Sequence, residues 1–136
     1  MHTLQPHWTR RLLAALAVVA SVLGVTTVVA PAADAAVYNS CTQSRCSAAR
    51  SANSTWSSKG YPGTRGWNSW PGGQCNFAGG VHQNREGQLP AGHRYLEFDV
   101  YPRACNASRD AYRIIVDRTD GTVYFSPDHY ANFYRL

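Results

Sequence analysis

Glu97, Arg109, Arg113 and His129 are the residues of this chain whose types favour acid–base chemistry on an anionic substrate. A carboxylate can take a proton, and an imidazole changes charge near neutral pH and can return one. Two arginines spaced four apart can offer planar forks of donors to phosphate oxygens. Together these groups supply what cleavage of a ribose phosphodiester requires, without a metal ion or other cofactor. Each of them alone is also typical of a solvated surface.

Period-two alternation predicts strands that carry two of these residues, Glu97 and Arg113, while Arg109 precedes its strand in a connecting loop. In residues 95–101, apolar side chains alternate with polar ones, which predicts a half-buried strand with Glu97 on its polar face. Further strands are predicted at residues 112–116, which contain one of the two arginines, and at residues 122–125. His129 follows the third strand. The cations and the imidazole are therefore expected to approach the face that carries Glu97.

A short helix is predicted before the strands. Within residues 40–56, small and aromatic residues recur at helical spacings: Cys46, Ala49, Ala52 and Trp56. Residues 60–63, Gly-Tyr-Pro-Gly, end this pattern, and residues 67–80, rich in Gly, Asn and Trp without periodicity, predict a loop. The expected fold is α+β, an N-terminal helix packed on a small antiparallel sheet in a single domain.

The first residues have the pattern of an export signal. A basic start is followed by an apolar stretch at residues 12–30 and by the small-x-small site Ala33-Asp34-Ala35. We expect residues 1–36 to be a signal peptide and residues 37–136 to be a secreted, extracellular domain that contacts no membrane once the signal is removed. An uncleaved membrane anchor is the alternative, because the apolar stretch approaches membrane-spanning length.

The exported part contains an even number of cysteines: Cys41, Cys46, Cys75 and Cys105. In an oxidising compartment such a set predicts two disulfides that stabilise a small domain, and the sequence does not choose among the pairings. A zinc site is the alternative, but it lacks support from paired C-x-x-C clusters or nearby histidine pairs.

Arginines make the chain basic. Its formal net charge is +5, and all of its basic residues except Lys59 are arginines. This balance favours an anionic partner such as single-stranded RNA, although so mild an excess fits many soluble proteins. Roughly 100 residues of mature chain suffice for one compact domain rather than two. We expect that domain to be a monomer.

Successive motifs in residues 80–136 resemble those of a known family. In order along the chain they are Gln83-Asn84-Arg85-Glu86, Leu89-Pro90, Tyr95-Leu96-Glu97-Phe98, Arg109-x-x-x-Arg113-Ile114-Ile115 and Asp128-His129-Tyr130-x-x-Phe133. The set is similar to that of the bacterial guanyl-specific ribonucleases, which include barnase and the secreted streptomycete enzymes within the microbial ribonuclease superfamily. Any one motif is weak, whereas several in register are specific. Residues 41–79 do not share the resemblance, so no disulfide pairing is carried over.

The resemblance implies roles for the residues that could do chemistry. Glu97 would deprotonate the 2′-hydroxyl and His129 would protonate the leaving oxygen, while Arg109 and Arg113 bind the phosphate. A 2′,3′-cyclic phosphate would form first and then be hydrolysed with the acid and base roles reversed.

The resemblance also implies a guanine site. Glu86 would accept hydrogen bonds from N1 and N2 of the base, and backbone amides around Asn84 and Arg85 would contact O6, with Gln83 in the same stretch. Such a pattern excludes adenine. Tyr130 would lie beside the bound base or ribose.

His82 departs from the family, which usually has an aromatic residue at this position. An imidazole can still stack on guanine, but it is smaller and can carry charge. The alternative is that His82 is a solvated loop residue.

Two other functions compete with RNA cleavage. Trp56, Trp67 and Trp70 could form the aromatic platform of a secreted non-catalytic module that binds RNA or polysaccharide. Glu86 and Glu97 could be the paired carboxylates of a glycosidase. As a further partner of a ribonuclease we expect a cytosolic inhibitor protein, because an enzyme that folds before export would harm its host.

Overall fold

The computed structural model describes residues 36–136, together with Gly24 alone of the preceding part. The predicted signal peptide, residues 1–36, lies outside the described residues except for Gly24 and Ala36. Within the described part, no helix is long and apolar enough to cross a membrane.

One helix and a seven-stranded sheet make up the described domain. The elements in chain order are β1 (Ala36–Tyr38), α1 (Cys46–Ser58), β2 (Gly66–Trp70), β3 (Gln74–His82), β4 (Tyr95–Asp99), β5 (Arg113–Asp117), β6 (Val123–Ser126) and β7 (Asn132–Arg135). The sheet order is β1-β7-β6-β5-β4-β3-β2, and every pair is antiparallel except β1 with β7. The α+β expectation of a helix on a mainly antiparallel sheet is confirmed.

Helix α1 packs on one face of the sheet through the residues that the helical spacing in the sequence predicted. Its buried residues are Cys46, Ala49, Ala52 and Trp56. They pack on alternate residues of the central strands, such as Phe98 and Ile114. The Trp56 indole N–H also donates to the Asp99 carbonyl at 2.9 Å, which fixes the helix against the end of β4. The helix begins at Cys46 rather than near residue 40.

The other face of the sheet has a second apolar cluster, which the alternation in β4 did not predict. It consists of Leu89, Tyr95, Ile115, Tyr124 and Phe133. The predicted polar face is therefore largely covered, and Asp99, on the same side as Glu97, has no exposed surface. A polar group on this face lies in a partly dry environment, where electrostatic interactions are stronger than in water.

The prediction of a loop at residues 67–80 is wrong, because β2 and β3 form an antiparallel hairpin there. Gly72 and Gly73 turn the chain with φ values of 82° and 73°, which non-glycine residues rarely adopt. The strands contain few of the β-branched residues that normally signal a strand. Strand β3 pairs with β4 and β2 pairs with β3, and no local pattern reports the long-range contact between β3 and β4.

The sequence pattern also did not predict the first and last strands of the domain, β1 and β7. Strand β7 follows the His129 region and pairs with β6 on one side and with β1 on the other. Both strands are very short, which leaves too few residues for a periodic signal.

All of the cysteines form disulfides. Cys41 pairs with Cys46 and Cys75 pairs with Cys105, so no described cysteine is free. The disulfide expectation is confirmed, and a zinc site built on these cysteines is excluded. The first bridge closes the loop that enters α1, and the second ties β3 to the segment after β4.

Candidate active site

Glu97 lies on the sheet face opposite α1, at the centre of a group of polar side chains. Its side chain is only 12% exposed. One carboxylate oxygen, Oε2, accepts a hydrogen bond from the Tyr130 hydroxyl and lies 3.7 Å from Nδ1 of His82. The other, Oε1, lies 3.8 Å from Nη2 of Arg109 and 4.0 Å from Nη1 of Arg65. The carboxylate thus has proton donors on one side and cations on the other.

Gly79 makes room for this carboxylate. Strand β3 has an irregularity between Ala78 and Gly80, where its register with β4 shifts. A Cβ placed on Gly79 would overlap the carboxyl group of Glu97. The absence of a side chain at this position therefore allows Glu97 to lie flat against β3.

Glu97 is held in its ionised form by its neighbours. Burial raises the pKa of the carboxyl, whereas His82, the Tyr130 hydroxyl and the Arg109 charge lower it, and the pKa of Glu97 ends below its ordinary value. Burial and the nearby carboxylate raise the pKa of Tyr130, so its hydroxyl stays protonated and donates. An ionised, largely dehydrated carboxylate is able to accept a proton from a bound substrate.

Asp99 positions the arginines beside Glu97. Its buried carboxylate lies 2.6 Å from Nη2 of Arg109, 3.2 Å from Nη1 of Arg113 and 3.5 Å from Nη1 of Arg103. The Arg109 side chain is 19% exposed and the Arg113 side chain is 4% exposed. Arg109 is thus the arginine that can reach a bound anion directly, while Arg113 lies beneath it.

The Arg113 guanidinium forms its contacts mainly with other groups of the protein. Its Nη1 donates to the Tyr112 carbonyl at 3.0 Å and lies 3.5 Å from Oδ1 of Asp110. Its Nε is buried and has no hydrogen-bond partner among the described residues. The sequence correctly predicted both arginines on the face of Glu97, but Arg113 is much less open than a free phosphate ligand would be.

His129 lies in a tight turn between β6 and β7. His129 and Tyr130 have φ values of 52° and 73°, a left-handed conformation that costs energy for residues with a side chain. Asp128 holds the turn by accepting hydrogen bonds from the backbone N–H and the side chain of Asn132. Ser126 Oγ accepts another from the Tyr130 N–H at 2.8 Å.

The turn presents His129 to solvent next to the Glu97 group. His129 is exposed, and its ring centroid lies 4.7 Å from that of Tyr130. Since the Tyr130 hydroxyl donates to Glu97, a single tyrosine separates the carboxylate from the imidazole. The two groups predicted as base and acid therefore flank one side chain rather than touching each other.

The loop after β3 is folded by Asn84. Asn84 Nδ2 donates to the Leu89 carbonyl at 2.9 Å, and the Leu89 N–H donates to Asn84 Oδ1 at 3.1 Å. The Gly87 N–H donates to the Asn84 carbonyl at 3.0 Å, which closes a turn. Both ends of the Asn84 amide are thus used inside the loop, and any contact from Asn84 to a ligand would involve its backbone.

Gln83, Arg85 and Glu86 are exposed on this loop. Arg85 and Glu86 form the corner of the Asn84–Gly87 turn. Among the described residues, no hydrogen bond or ion pair connects these three side chains to Glu97. They form a separate open surface that continues from the end of β3.

His82, by contrast, belongs to the Glu97 group. It is the last residue of β3 and is 9% exposed, so the alternative of a solvated loop residue is wrong. Its ring packs 4.8 Å from that of Tyr130 and 6.2 Å from that of Phe133. In the described structure its face is covered by these rings.

Three residues of the site were not predicted from the sequence. Asp99 had a signal, because it alternates with Glu97 in the period-two pattern of β4. Gly79 and Arg65 had none, because their proximity to Glu97 depends on the β2–β3 hairpin. Arg65 is 61% exposed and also donates to the Gly79 carbonyl at 3.2 Å.

Two other features lie apart from this group. His93, Asp117 and Asp120 could offer ligand atoms within 4.8 Å of one another. However, His93 Nδ1 and Asp117 Oδ2 are already hydrogen-bonded at 2.5 Å, and the other Asp117 oxygen accepts the Thr119 N–H at 2.8 Å. This cluster stabilises the turn between β5 and β6.

A cleft of about 270 Å³ lies on the helix side of the sheet. It is lined by Ala48, Ser51, Ala52, Thr55, Trp70, Val100, Tyr101 and Pro102. None of these side chains is charged, so the cleft does not suit a phosphate.

The ribonuclease family is matched over residues 29–136, most of the chain, and the chain therefore belongs to that family. It is an RNA-cleaving enzyme and RNA is its substrate. The match extends well before the motif-bearing residues 80–136. No curated protein matches the chain.

Family membership does not fit the two competing functions, a non-catalytic module and a glycosidase. The aromatic platform is also wrong in detail, because Trp56 has no exposed surface and belongs to the core.

Proposed function

We propose that this enzyme is an extracellular endoribonuclease that cleaves single-stranded RNA on the 3′ side of guanosine. The observation that carries the proposal is the ionised Glu97 carboxylate, held between the Arg109 cation and Tyr130, with His129 on the far side of the Tyr130 ring. A base, a cation and an imidazole acid close together on one face of the sheet are the groups that transesterification of RNA needs.

In the first step Glu97 takes the proton of the ribose 2′-hydroxyl. The 2′-oxygen then forms a bond to phosphorus while the bond from phosphorus to the 5′-oxygen breaks. His129 gives its proton to that leaving oxygen. Arg109, supported by Arg113, stabilises the negative charge that builds up on the remaining phosphate oxygens.

The second step hydrolyses the 2′,3′-cyclic phosphate with the roles reversed. His129, now neutral, takes a proton from water, whose oxygen attacks phosphorus. The bond from phosphorus to the 2′-oxygen breaks, and Glu97 returns its proton to that oxygen. The product is a 3′-phosphate, and both groups regain their starting protonation states.

Guanine recognition is proposed at the loop after β3. The exposed Glu86 carboxylate would accept hydrogen bonds from N1 and N2 of the base. No hydrogen bond within the described residues uses the amide N–H of Arg85 or Glu86, so both are free to donate to O6. The two hydrogen bonds between the Asn84 side chain and the Leu89 backbone keep the loop folded in the absence of ligand. The entropic cost of ordering the loop on binding is therefore lower.

Export is the proposed localisation. Two disulfides in a small domain are typical of proteins from oxidising compartments. Strand β1 begins at Ala36, next to the predicted cleavage site, so removal of residues 1–36 would take only the first residue of this edge strand from the described sheet. A cytosolic inhibitor protein and a monomeric state are part of the same proposal.

Product analysis of a defined oligoribonucleotide with a single guanosine tests the proposal. The expected products are a fragment ending in guanosine 2′,3′-cyclic phosphate, later the 3′-phosphate, and a fragment with a free 5′-hydroxyl. A matched oligonucleotide with 2′-deoxyguanosine at that position should resist cleavage, because it lacks the attacking hydroxyl. The Glu97→Gln enzyme should be slower by roughly 10²–10⁴. Cleavage of the deoxy-containing oligonucleotide at the same rate would refute the mechanism.

A further inference from the structure

His82 occupies a place that suits an apolar ring. It lies opposite Tyr95 in the pairing of β3 with β4. Its ring is surrounded by those of Tyr130, Phe133 and Tyr95, at centroid distances of 4.8, 6.2 and 6.4 Å. A phenyl group would fill this space without placing nitrogen atoms among aromatic carbons.

Packing does not account for the imidazole. Nε2 of His82 is buried and has no hydrogen-bond partner among the described residues. A buried polar atom without a partner destabilises the folded state. The polar contact that this histidine does make is through its other nitrogen, Nδ1.

That other nitrogen faces the catalytic carboxylate. Nδ1 of His82 lies 3.7 Å from Oε2 of Glu97, an ion-pair distance rather than a hydrogen bond. The remaining groups that face the ring are the hydroxyl-bearing Tyr95 on β4 and Tyr130 in the turn after β6, and the apolar Phe133 on β7. Within residues 36–136, Glu97 is the carboxylate that forms an ion pair with His82.

We propose that His82 is a positioning residue of the active site, whose imidazole holds the Glu97 carboxylate in place and in its ionised form. The proposal rests on the proposed role of Glu97 as the base. Histidine side chains carry a proton in the range where carboxyl groups titrate. In a largely dry site, a positive charge at this distance strongly favours the ionised carboxylate. The enzyme therefore retains its base at a lower pH than it would with a phenyl ring at this position.

The test compares kcat/KM as a function of pH for the wild-type enzyme and His82→Phe on a guanosine dinucleotide. Each profile is normalised to its own maximum, so that only the position of its acidic limb is compared. At the acidic end, where Glu97 titrates, the variant should lose about tenfold more activity than the wild type. A change in base stacking would instead alter KM by the same factor at every pH.

His93→Phe is the matched control. It also removes a histidine that is paired with a carboxylate, Asp117, but this pair is not part of the Glu97 group. Its acidic limb should coincide with that of the wild type. If His82→Phe folds poorly, His82→Gln removes the charge while keeping a polar side chain. The proposal would be overturned if the pH profile of a folded His82 variant had the same acidic limb as that of the wild type.

An NMR titration of the Glu97 carboxyl carbon in the resting enzyme separates this proposal from the proposed function. In the His82 variant the carboxyl should titrate at a higher pH than in the wild type. The enzyme could fail to cleave after guanosine while the pH at which Glu97 titrates still differs between the wild type and the variant. That result would refute the proposed function and support the His82–Glu97 pairing. An unchanged titration would refute the pairing whatever the enzyme cleaves.

Discussion

Asp99 accepts hydrogen bonds from Arg109 with both of its carboxylate oxygens. Nε of Arg109 lies 3.1 Å from each oxygen, and Nη2 lies 2.6 Å from Oδ1. The guanidinium is further fixed by the Phe77 ring, whose centroid is 4.3 Å from Cζ. A cation that is oriented before the substrate arrives costs no reorganisation during the reaction. In the proposed mechanism, Asp99 therefore contributes to catalysis through Arg109 without touching the substrate.

Asp99→Asn should weaken both the fold and the reaction. The substitution keeps the shape but leaves the charges of Arg109 and Arg113 without their buried partner, which should cost roughly 3–5 kcal/mol in free energy of unfolding. Turnover of the folded variant should fall by about tenfold or more, because Arg109 is no longer held. Urea unfolding and kcat on an RNA substrate measure the two effects.

Asp110→Asn is the control for Asp99. This carboxylate also pairs with Arg103 and Arg113, but its side chain is 33% exposed. Its removal should cost less than about 1 kcal/mol, since water screens the pair. Equal losses of stability and turnover in the two variants would contradict the assignment of Asp99 as the organising group.

Gly79→Ala should lower turnover with little loss of stability. The added methyl group would overlap the Glu97 carboxyl, which is the end of a flexible side chain and can move aside. The base would then leave its position by roughly the size of a methyl group, a displacement that can cost about 10²-fold in rate. In Gly63→Ala the new Cβ would meet only Arg94 at an ordinary 3.7 Å, so that variant should keep its activity. Equal kcat values for the two variants would show that Glu97 tolerates the shift.

Helix α1 and strands β4, β5 and β6 were predictable from the sequence because each has a local signal. The helix repeats apolar residues at spacings of three and four, and β4 alternates around Glu97. The β2–β3 hairpin was not predictable, because its strands are rich in Gly, Asn and Ser and owe their structure to the pairing with β4.

The positions of the candidate site residues were predicted where motifs were local and missed where they depend on tertiary contacts. Glu97, Arg109 and Arg113 do share one face, as the alternation and the family resemblance implied. The burial of His82 was missed, because the sequence does not show that Tyr130 and Phe133 fold back over the end of β3. The complete burial of Asp99 was missed for a similar reason, since the three arginines that pair with it come from different segments of the chain.

The His93–Asp117 pair should make stability depend on pH. The hydrogen bond with Asp117 raises the pKa of His93 above its ordinary value of 6.5. The folded state therefore binds this proton more tightly than the unfolded chain does. Its contribution to the free energy of unfolding is fully present below about pH 6.5 and is lost as pH rises through the higher pKa of the folded state.

Unfolding in urea at several pH values between about pH 5 and pH 9 measures this effect. The stability advantage of the wild type over His93→Gln should be largest at the acidic end and shrink as pH rises. His129→Gln serves as the control, because His129 is exposed and has no ion pair among the described residues. Parallel curves for the wild type and His93→Gln would show that the pair is not linked to folding.

Glu86→Gln should reduce discrimination between bases rather than catalysis itself. Glu86 is exposed at the corner of the Asn84–Gly87 turn and forms no hydrogen bond or ion pair with the Glu97 group among the described residues. Gln keeps the length of the side chain, but one of its two acceptors becomes a donor that opposes the guanine N–H groups. The ratio of kcat/KM for guanosine over adenosine dinucleotides should therefore fall by about 10–200-fold, corresponding to roughly 1–3 kcal/mol. Glu97→Gln is the contrasting control, because loss of the base should slow both substrates by the same factor. If Glu86→Gln also slowed both dinucleotides equally, Glu86 would belong to the structure of the loop, and guanine would have to be recognised elsewhere.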